Sequence, residues 1–544
     1  MKATYRNYDE VMRRFGQMPG GLFVADENFR TEGGRDLNDP RGGVETCTMV
    51  EFMHSCEMLT RITGDAVWAD RCEEVAFNSL PAATTPDLKA LHYITSPNQI
   101  QLDPHDKSPA IQNGGQMFSY SPFEAYRCCQ HNVAHGWPYF AEEMWVASAD
   151  NGLCASLYAP SQVTAKVGDA GTEVRVSEET AYPFGDTVQF KVSTAKPVKF
   201  PLYLRIPGWC RSPSMVVAGQ PVVMMARGGY FVLDREWKDA DSVTLKLPME
   251  VKLRLWAGNN NSVSVDRGPI TYALGIGEKW EKYAGTNEWP EWQVLPTTAW
   301  NYGLVLDGGP KSIEAVPKQW AQPPVNPLNR YDFELRAKAR KIPNWVVDQD
   351  NAVNPLQASP AASSEPTETV TLIPMGAARL RIASFPVIGP EGKGTEWKKP
   401  PPPPKLPLAS HVFGSDTTAA LNDGKEPKNS NDLGIPRMTW WPRKGGAEWV
   451  AYEFEKPKRV SKASVYWFDD GRTGGGCRVP AGWTLMYQDA SRGWRPVNVN
   501  GGAYGVGQDQ YNTVEFEPVE TTGLRLEAKL QKDFSGGILE WKVE

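Results

Sequence analysis

Three thiols and a carboxylate stand in two short strings of this chain, Glu45-Thr46-Cys47 and, about eighty residues later, Cys128-Cys129. Zinc takes about four ligands near tetrahedral geometry, with sulfur about 2.3 Å and carboxylate oxygen about 2.0–2.2 Å from the ion. Glu45, Cys47, Cys128 and Cys129 therefore suffice for a complete ligand set. A thiol with a free pKa of about 8.5 becomes a thiolate beside a cation, so such a site would also prepare a nucleophile. The competing reading is four core positions, since free cysteine is among the most buried residue types. The pair is not the familiar C-x-x-C spacing. A redox switch on Cys128-Cys129 is a more distant third.

The elements that must position these groups follow from backbone geometry. Residues two apart share a side only in an extended segment, which predicts a strand-like loop at Glu45 and Cys47 that turns helical afterwards. Neighbouring cysteines cannot both face one point from a regular helix or strand, so Cys128-Cys129 is expected in an irregular turn of the kind that functional loops use. The strongest helix spans Thr48–Thr63, where Val50, Phe52, Met53, Cys56, Met58 and Leu59 form a wide apolar face before Gly64-Asp65. Ala66–Leu80 and Asn132–Trp145 read as two more. From Asn151 the period changes to two, as in Thr172–Val176 and Thr187–Val192, with turn residues between the runs. That pattern predicts antiparallel β-sandwich.

Composition narrows the function classes. A chain of 544 residues implies three or four domains. Its net charge of −6 gives no electrostatic reason to bind nucleic acid or an anionic membrane. No apolar run approaches the roughly 20 residues of a membrane span. The start, Met1 to Tyr8, lacks the apolar core of a signal peptide, so export is not expected from this stretch. Three of the eight cysteines lie in the two strings; Cys56, Cys72, Cys154, Cys210 and Cys477 are irregularly spaced and read as buried thiols, not as a disulfide framework.

The strings GGVETC (Gly42 to Cys47) and YRCCQHN (Tyr126 to Asn132) resemble the glycoside hydrolase family 127 and 146 group, best known for β-L-arabinofuranosidases. The resemblance covers about residues 1–390. It implies zinc on Glu45, Cys47, Cys128 and Cys129, with Cys128 as the nucleophile of a retaining mechanism. It also implies an acid/base carboxylate ahead of the Glu-x-Cys string, for which Glu27 is the candidate although its spacing to Glu45 is slightly long and Asp26 and Glu32 lie close by. Such an acid needs a raised pKa. Tyr93 resembles a family residue that reaches the sugar pocket; a core aromatic is the alternative. His131 and His135 are candidate partners that orient ligands, where many relatives carry prolines directly after the cysteine pair. His54 reads as an ordinary helix residue.

Relatives carry a complete (α/α)6 barrel before their β-domains, far more helix than residues 1–148 can hold. The expected architecture is therefore multidomain, α plus all-β: a partial (α/α)6 barrel over 1–148, β-sandwiches over 149–270 and 271–388, a Pro-rich linker over 389–409 and a β jelly roll over 410–544. The linker run from Lys398 to Lys405 is an extended, semi-rigid spacer. The last region resembles the discoidin-like (factor 5/8 type C) jelly roll, often a carbohydrate-binding module in bacterial glycosidases, with Trp440, Trp441 and Asp470 as loop residues that could meet a glycan.

Two functions of different class follow. One is a zinc-dependent retaining glycoside hydrolase, a β-L-arabinofuranosidase or related exo-hydrolase acting on a plant cell-wall glycan. The other is a catalytically incomplete carbohydrate-binding protein with a structural zinc site, since a closed four-ligand shell is normally structural. The resemblance points to a periplasmic or extracellular parent; the sequence leaves the sugar and the oligomeric state open.

Overall fold

The computed structural model describes residues 2–24, 41–105, 118–122, 128–223, 226–321, 324, 326–348, 351–400, 405–414 and 416–544. Helices are few and sheets dominate. The chain divides into two compact units that part at residue 400.

The first unit begins with helices α1 (Lys2–Phe15), α2 (Thr46–Thr63), α3 (Ala66–Glu74) and α4 (Cys128–Glu142). Met49, Val50, Met53 and Cys56 bury one stripe of α2, while Phe52, Met58 and Leu59 are half-buried beside it. Gly64 ends the helix in the left-handed region at φ 67°, its N–H returning to the Thr60 carbonyl, the conformation a glycine adopts without a Cβ penalty. Asp65 then caps α3 by accepting from the Val67 N–H. The helix expected over Ala66–Leu80 changes character at Val75–Ser79, which forms a π-type turn. Asn78 accounts for it: its amide donates to the Glu74 carbonyl at 2.8 Å and the Pro269 carbonyl at 2.9 Å. A side chain inserted into the helical ladder is a regular cause of such widening. The helix expected from Asn132 begins one turn earlier, at Cys128, and stops at Glu142.

Three carboxylates of the α3 segment join the helices to the sheets. Asp70 and Glu73 pair with the fully buried Arg205, Glu73 also accepts from the Tyr182 hydroxyl at 2.6 Å, and Glu74 pairs with Arg254. Residues 145–246 form a sandwich of a six-stranded and a five-stranded sheet. Its strands Thr172–Thr180 and Thr187–Thr194 alternate as expected, sending Val174, Val176, Val188, Phe190 and Val192 into the core. A further sheet runs from Val251 to Ile388. The boundary expected near 270 falls inside it: Ser262–Arg267 and Ile270–Leu274 are adjacent antiparallel strands, joined through Gly268 at φ 61°. The alternating pattern marks strands but carries no information on which sheet a hairpin joins.

Four two-residue strands matter for the site. β1 (Val44–Glu45) pairs antiparallel with β2 (Ile94–Thr95), placing Glu45 opposite Ile94. β3 (Asn98–Gln99) pairs antiparallel with β4 (Arg381–Ile382). A hairpin of Glu278–Gly285 and Pro290–Pro296 bridges to Leu102 and Tyr120, and Trp280 stacks on the Tyr120 ring.

The second unit is an antiparallel sheet assembly with its own core. Its two longest strands, Ala447–Phe468 and Tyr511–Lys529, pair with each other through two register shifts. Trp440, Trp467, Trp483 and Trp541 fill the interior. Trp440 is therefore a core residue, which corrects its place among the candidate glycan contacts; its ring is wholly buried. Trp441 and Asp470 are half-buried and line a cavity of about 180 Å³ with Asp416, Arg437 and Phe468.

Candidate metal and thiol site

The four residues singled out from the sequence converge. Ligand atoms of Glu45, Cys47, Cys128 and Cys129 all lie within 4.8 Å of one another. Cys47 Sγ is 3.2 Å from Cys129 Sγ, and Glu45 Oε1 is 3.6 Å from Cys129 Sγ and 3.8 Å from Cys128 Sγ. Four donors about 2.0–2.3 Å from one tetrahedral ion stand about 3.3–3.8 Å apart; the three pairs just given lie at about that spacing, and three sulfurs with a carboxylate are donors of the kind zinc takes. Among the described residues no basic side chain forms an ion pair with Glu45.

The backbone reaches this arrangement differently from expectation. Only Glu45 is extended, at φ −71° and ψ 141°; it is the residue preceding α2, and Cys47 already belongs to the first helical turn. Cys128 and Cys129 are the first two residues of α4, not part of an irregular turn among the described residues. At the first half of the site the chain passes from extended to helical within one residue, and the N–H groups of a first helical turn carry partial positive charge. About 100° separates successive side chains on a helix, so Cys129 is buried while Cys128 is exposed.

The electrostatics divide the thiols. Cys47 lies below the usual thiol range, chiefly through its bond with Cys129, helped by the Asn132 amide. Cys129 is pushed far up by the same bond, with burial adding to the shift. Burial raises Cys128, against the opposing hydrogen bond from Tyr93.

Tyr93 stands immediately before β2. Its hydroxyl is 3.4 Å from Cys128 Sγ, but the residue is only 1% exposed. The ring faces the protein interior and the polar tip reaches the exposed thiol. The segment leading into β2 is bound to the start of α2 by the Thr46 N–H, 2.9 Å from the Tyr93 carbonyl, and by the Thr46 hydroxyl, 2.9 Å from the His92 carbonyl. His92 is buried, with Nε2 3.1 Å from the Ala82 carbonyl and its ring 4.6 Å from Tyr120; burial holds its pKa down to about 3. His131 and His135 are exposed on α4, and His54 and His135 both flank Tyr139. Gln130 fastens the start of α4 by donating to the Pro122 carbonyl at 2.6 Å. Glu27, the candidate acid, lies outside the described residues.

Asn132, Thr46 and His92 were not singled out from the sequence. Asn132 had a usable signal: four residues after Cys128, it shares that face of a helix once the helix begins at the cysteines. Thr46 and His92 act through backbone pairing between distant segments, which leaves no local pattern.

Residues 1–142 match the family model of the β-L-arabinofuranosidase GH127 catalytic domain, and residues 152–249 match that of the GH127 middle domain. Among solved structures, a glycoside hydrolase is 23% identical, with a TM-score of 0.48, over 63% of this chain and 52% of its own. A GH127 β-L-arabinofuranosidase from Geobacillus stearothermophilus T6 is 20% identical, with a TM-score of 0.48, over 69% of this chain and 54% of its own. The chain thus spans about half the length of these two structures. A chitosan-binding module from a Paenibacillus chitosanase/glucanase is 12% identical, with a TM-score of 0.20, over 26% of this chain and 94% of its own.

Proposed function

We propose that this chain, whose residues 1–142 and 152–249 match the GH127 catalytic-domain and middle-domain models, is a zinc-dependent retaining glycoside hydrolase with Cys128 as nucleophile. The observation that carries this reading is the convergence of four donors within 4.8 Å with only Cys128 exposed to a substrate. Glu45, Cys47, Cys128 and Cys129 would hold the ion. When bound, zinc supplies the positive charge that keeps clustered thiols ionised.

The protein's own groups account for the remaining steps. Cys128 Sγ attacks the anomeric carbon, forming a C–S bond as the glycosidic C–O bond breaks. The departing oxygen takes a proton from a carboxylic acid across the sugar, the role we assign to Glu27. The same carboxylate then removes a proton from water, whose oxygen displaces the sulfur and restores the configuration. Tyr93 holds Cys128 Sγ in its attacking position from behind. The substrate is a terminal β-L-arabinofuranosyl unit or a close relative on a plant cell-wall glycan.

The architecture that goes with this reading is part of an (α/α)6 barrel over 1–148, β-sandwiches behind it and a jelly roll beyond the Pro-rich linker. A second reading, a carbohydrate-binding protein with a structural zinc site, draws support from the polar cavity at Trp441 and Asp470 in the C-terminal unit. Zinc content and hydrolysis of an aryl β-L-arabinofuranoside, compared among wild type, Cys128→Ser and Glu27→Gln, separate the two. About one zinc per chain with turnover lost in both variants supports the hydrolase. Zinc without turnover in the wild type favours the binding protein, and absence of zinc removes the ligand assignment.

A further inference from the structure

Arg381 is fully buried and, among the described residues, forms no ion pair with a carboxylate. A buried guanidinium without a counter-charge is unfavourable unless its donors are satisfied and its placement serves a purpose. Two of its three hydrogen bonds hold one feature, and the third returns to its own segment. Nε donates to the Ser96 carbonyl at 3.0 Å, Nη1 to the Ala378 carbonyl at 2.8 Å, and Nη2 to the Thr95 hydroxyl. Thr95 passes the contact on by donating to Gln99 Oε1 at 3.1 Å, and Gln99 donates to the Arg379 carbonyl at 2.7 Å. Asn98 completes the clamp, its Oδ1 accepting from the Ala383 and Ser384 N–H groups.

The clamped turn, Thr95–Gln99, directly follows Tyr93 and Ile94. Ile94 is the register partner of Glu45, and the Tyr93 hydroxyl touches Cys128 Sγ. A two-residue strand such as β2 has too few ladder bonds to fix its own register. Its position is set by what grips its two ends: Thr46 on one side and Arg381 on the other. Arg379, its neighbour, is buried too but reaches elsewhere, to the carbonyls of Pro81 and Thr84 and to Asn329.

We infer that Arg381 is a positioning residue for the thiol site, holding β2 so that the Tyr93 hydroxyl stays against Cys128. The inference rests on the proposed role of Cys128. Its test reads the thiol directly: the rate of Cys128 alkylation by iodoacetamide in the full chain as purified, followed by peptide mass, with zinc content and thermal midpoint measured alongside. Tyr93→Phe and Arg381→Lys should change that rate by the same factor, about threefold to tenfold, the scale of one hydrogen bond. The double variant should change it no further, and Arg379→Lys should leave it unaltered. On an aryl β-L-arabinofuranoside, Arg381→Lys should lower kcat with KM unchanged. Multiplicative effects in the double variant, or a lowered thermal midpoint with an unchanged alkylation rate, would overturn the assignment. If Arg381→Lys does not fold, Thr95→Val removes the acceptor of Nη2 and is held to the same criterion. Wild-type protein with no turnover but intact coupling between Tyr93 and Arg381 would refute the hydrolase while leaving the positioning role standing.

Discussion

The thiol site and the C-terminal unit are built by opposite means. The site collects Glu45, Cys47, Tyr93, Cys128 and Cys129 from three separated segments, on two-residue strands and first helical turns, with Arg381 supplied from β4. The C-terminal unit pairs strands of 22 and 19 residues and fills its core with tryptophans from those strands and the segments beside them. Long ladders resist local change because each bond is supported by its neighbours; the site has no such redundancy. Precision at the site must therefore come from individual buried polar contacts, and single substitutions should act there on chemistry and in the C-terminal unit on stability.

The largest effect tests that division at the nucleophile. Cys128→Ser should lower turnover on an aryl β-L-arabinofuranoside by about 10⁴-fold or more while the thermal midpoint stays near wild type, since Cys128 is exposed and contributes little packing. Cys129→Ala should do both harm to turnover and reduce zinc content, because its buried sulfur is bonded to Cys47. A Cys128→Ser protein that keeps wild-type kcat would end the nucleophile assignment.

Next in size are two core changes of similar magnitude in different units. Trp467→Ala leaves a large void in the C-terminal core and should cost about 3–5 kcal/mol. Arg205→Met strands Asp70 and Glu73 at the junction of helices and sandwich and should cost about 3–5 kcal/mol in the first unit. Differential scanning calorimetry should show separate transitions, each variant lowering only its own. Hydrolysis by Trp467→Ala below its transition should match wild type; a proportionate loss of turnover would mean that the two units do not act independently.

The same contrast explains what the sequence disclosed. In the C-terminal unit and the first sandwich, period-two alternation is a local pattern that marks strands, and Thr172–Thr180 and Thr187–Thr194 follow it closely. At the site, residue chemistry was legible and backbone was not. Glu45, Cys47, Cys128 and Cys129 stand out because few other arrangements need three thiols and a carboxylate. Their placement at helix starts was missed because spacing rules assume one regular conformation across each string, whereas Glu45 and Cys47 straddle a boundary. Trp440 and Trp441 show the same limit: adjacent and chemically alike, one is core and the other lines a cavity. Nothing in the local sequence identifies Arg381, whose partners Thr95 and Ser96 lie about 285 residues away.

The smallest expected effect is a pH dependence present in both units. Glu57 in α2 and Glu540 in the C-terminal unit are each about 2–3% exposed, each has one carboxylate oxygen without a hydrogen-bond partner, and burial pushes the pKa of each up to about 7. Cys72 eases Glu57 by donating to its other oxygen at 3.3 Å, and nearby acids add to the upward shift in both cases. In the unfolded chain each ionises near 4.5. Below that value both states are protonated and the groups oppose folding least. As the pH rises from about 4.5 to 7 the unfolded chain releases protons that the folded one retains, so each unit loses stability through that window and the slope flattens above it. The full span is at most roughly 3 kcal/mol per group. Glu57→Gln should flatten the dependence of the first unit's transition alone, and Glu540→Gln that of the second. Urea midpoints taken at pH 4.5, 6 and 7.5 resolve the two; equal slopes before and after substitution would show that the buried carboxyls ionise in the folded protein and that water or a cation reaches them.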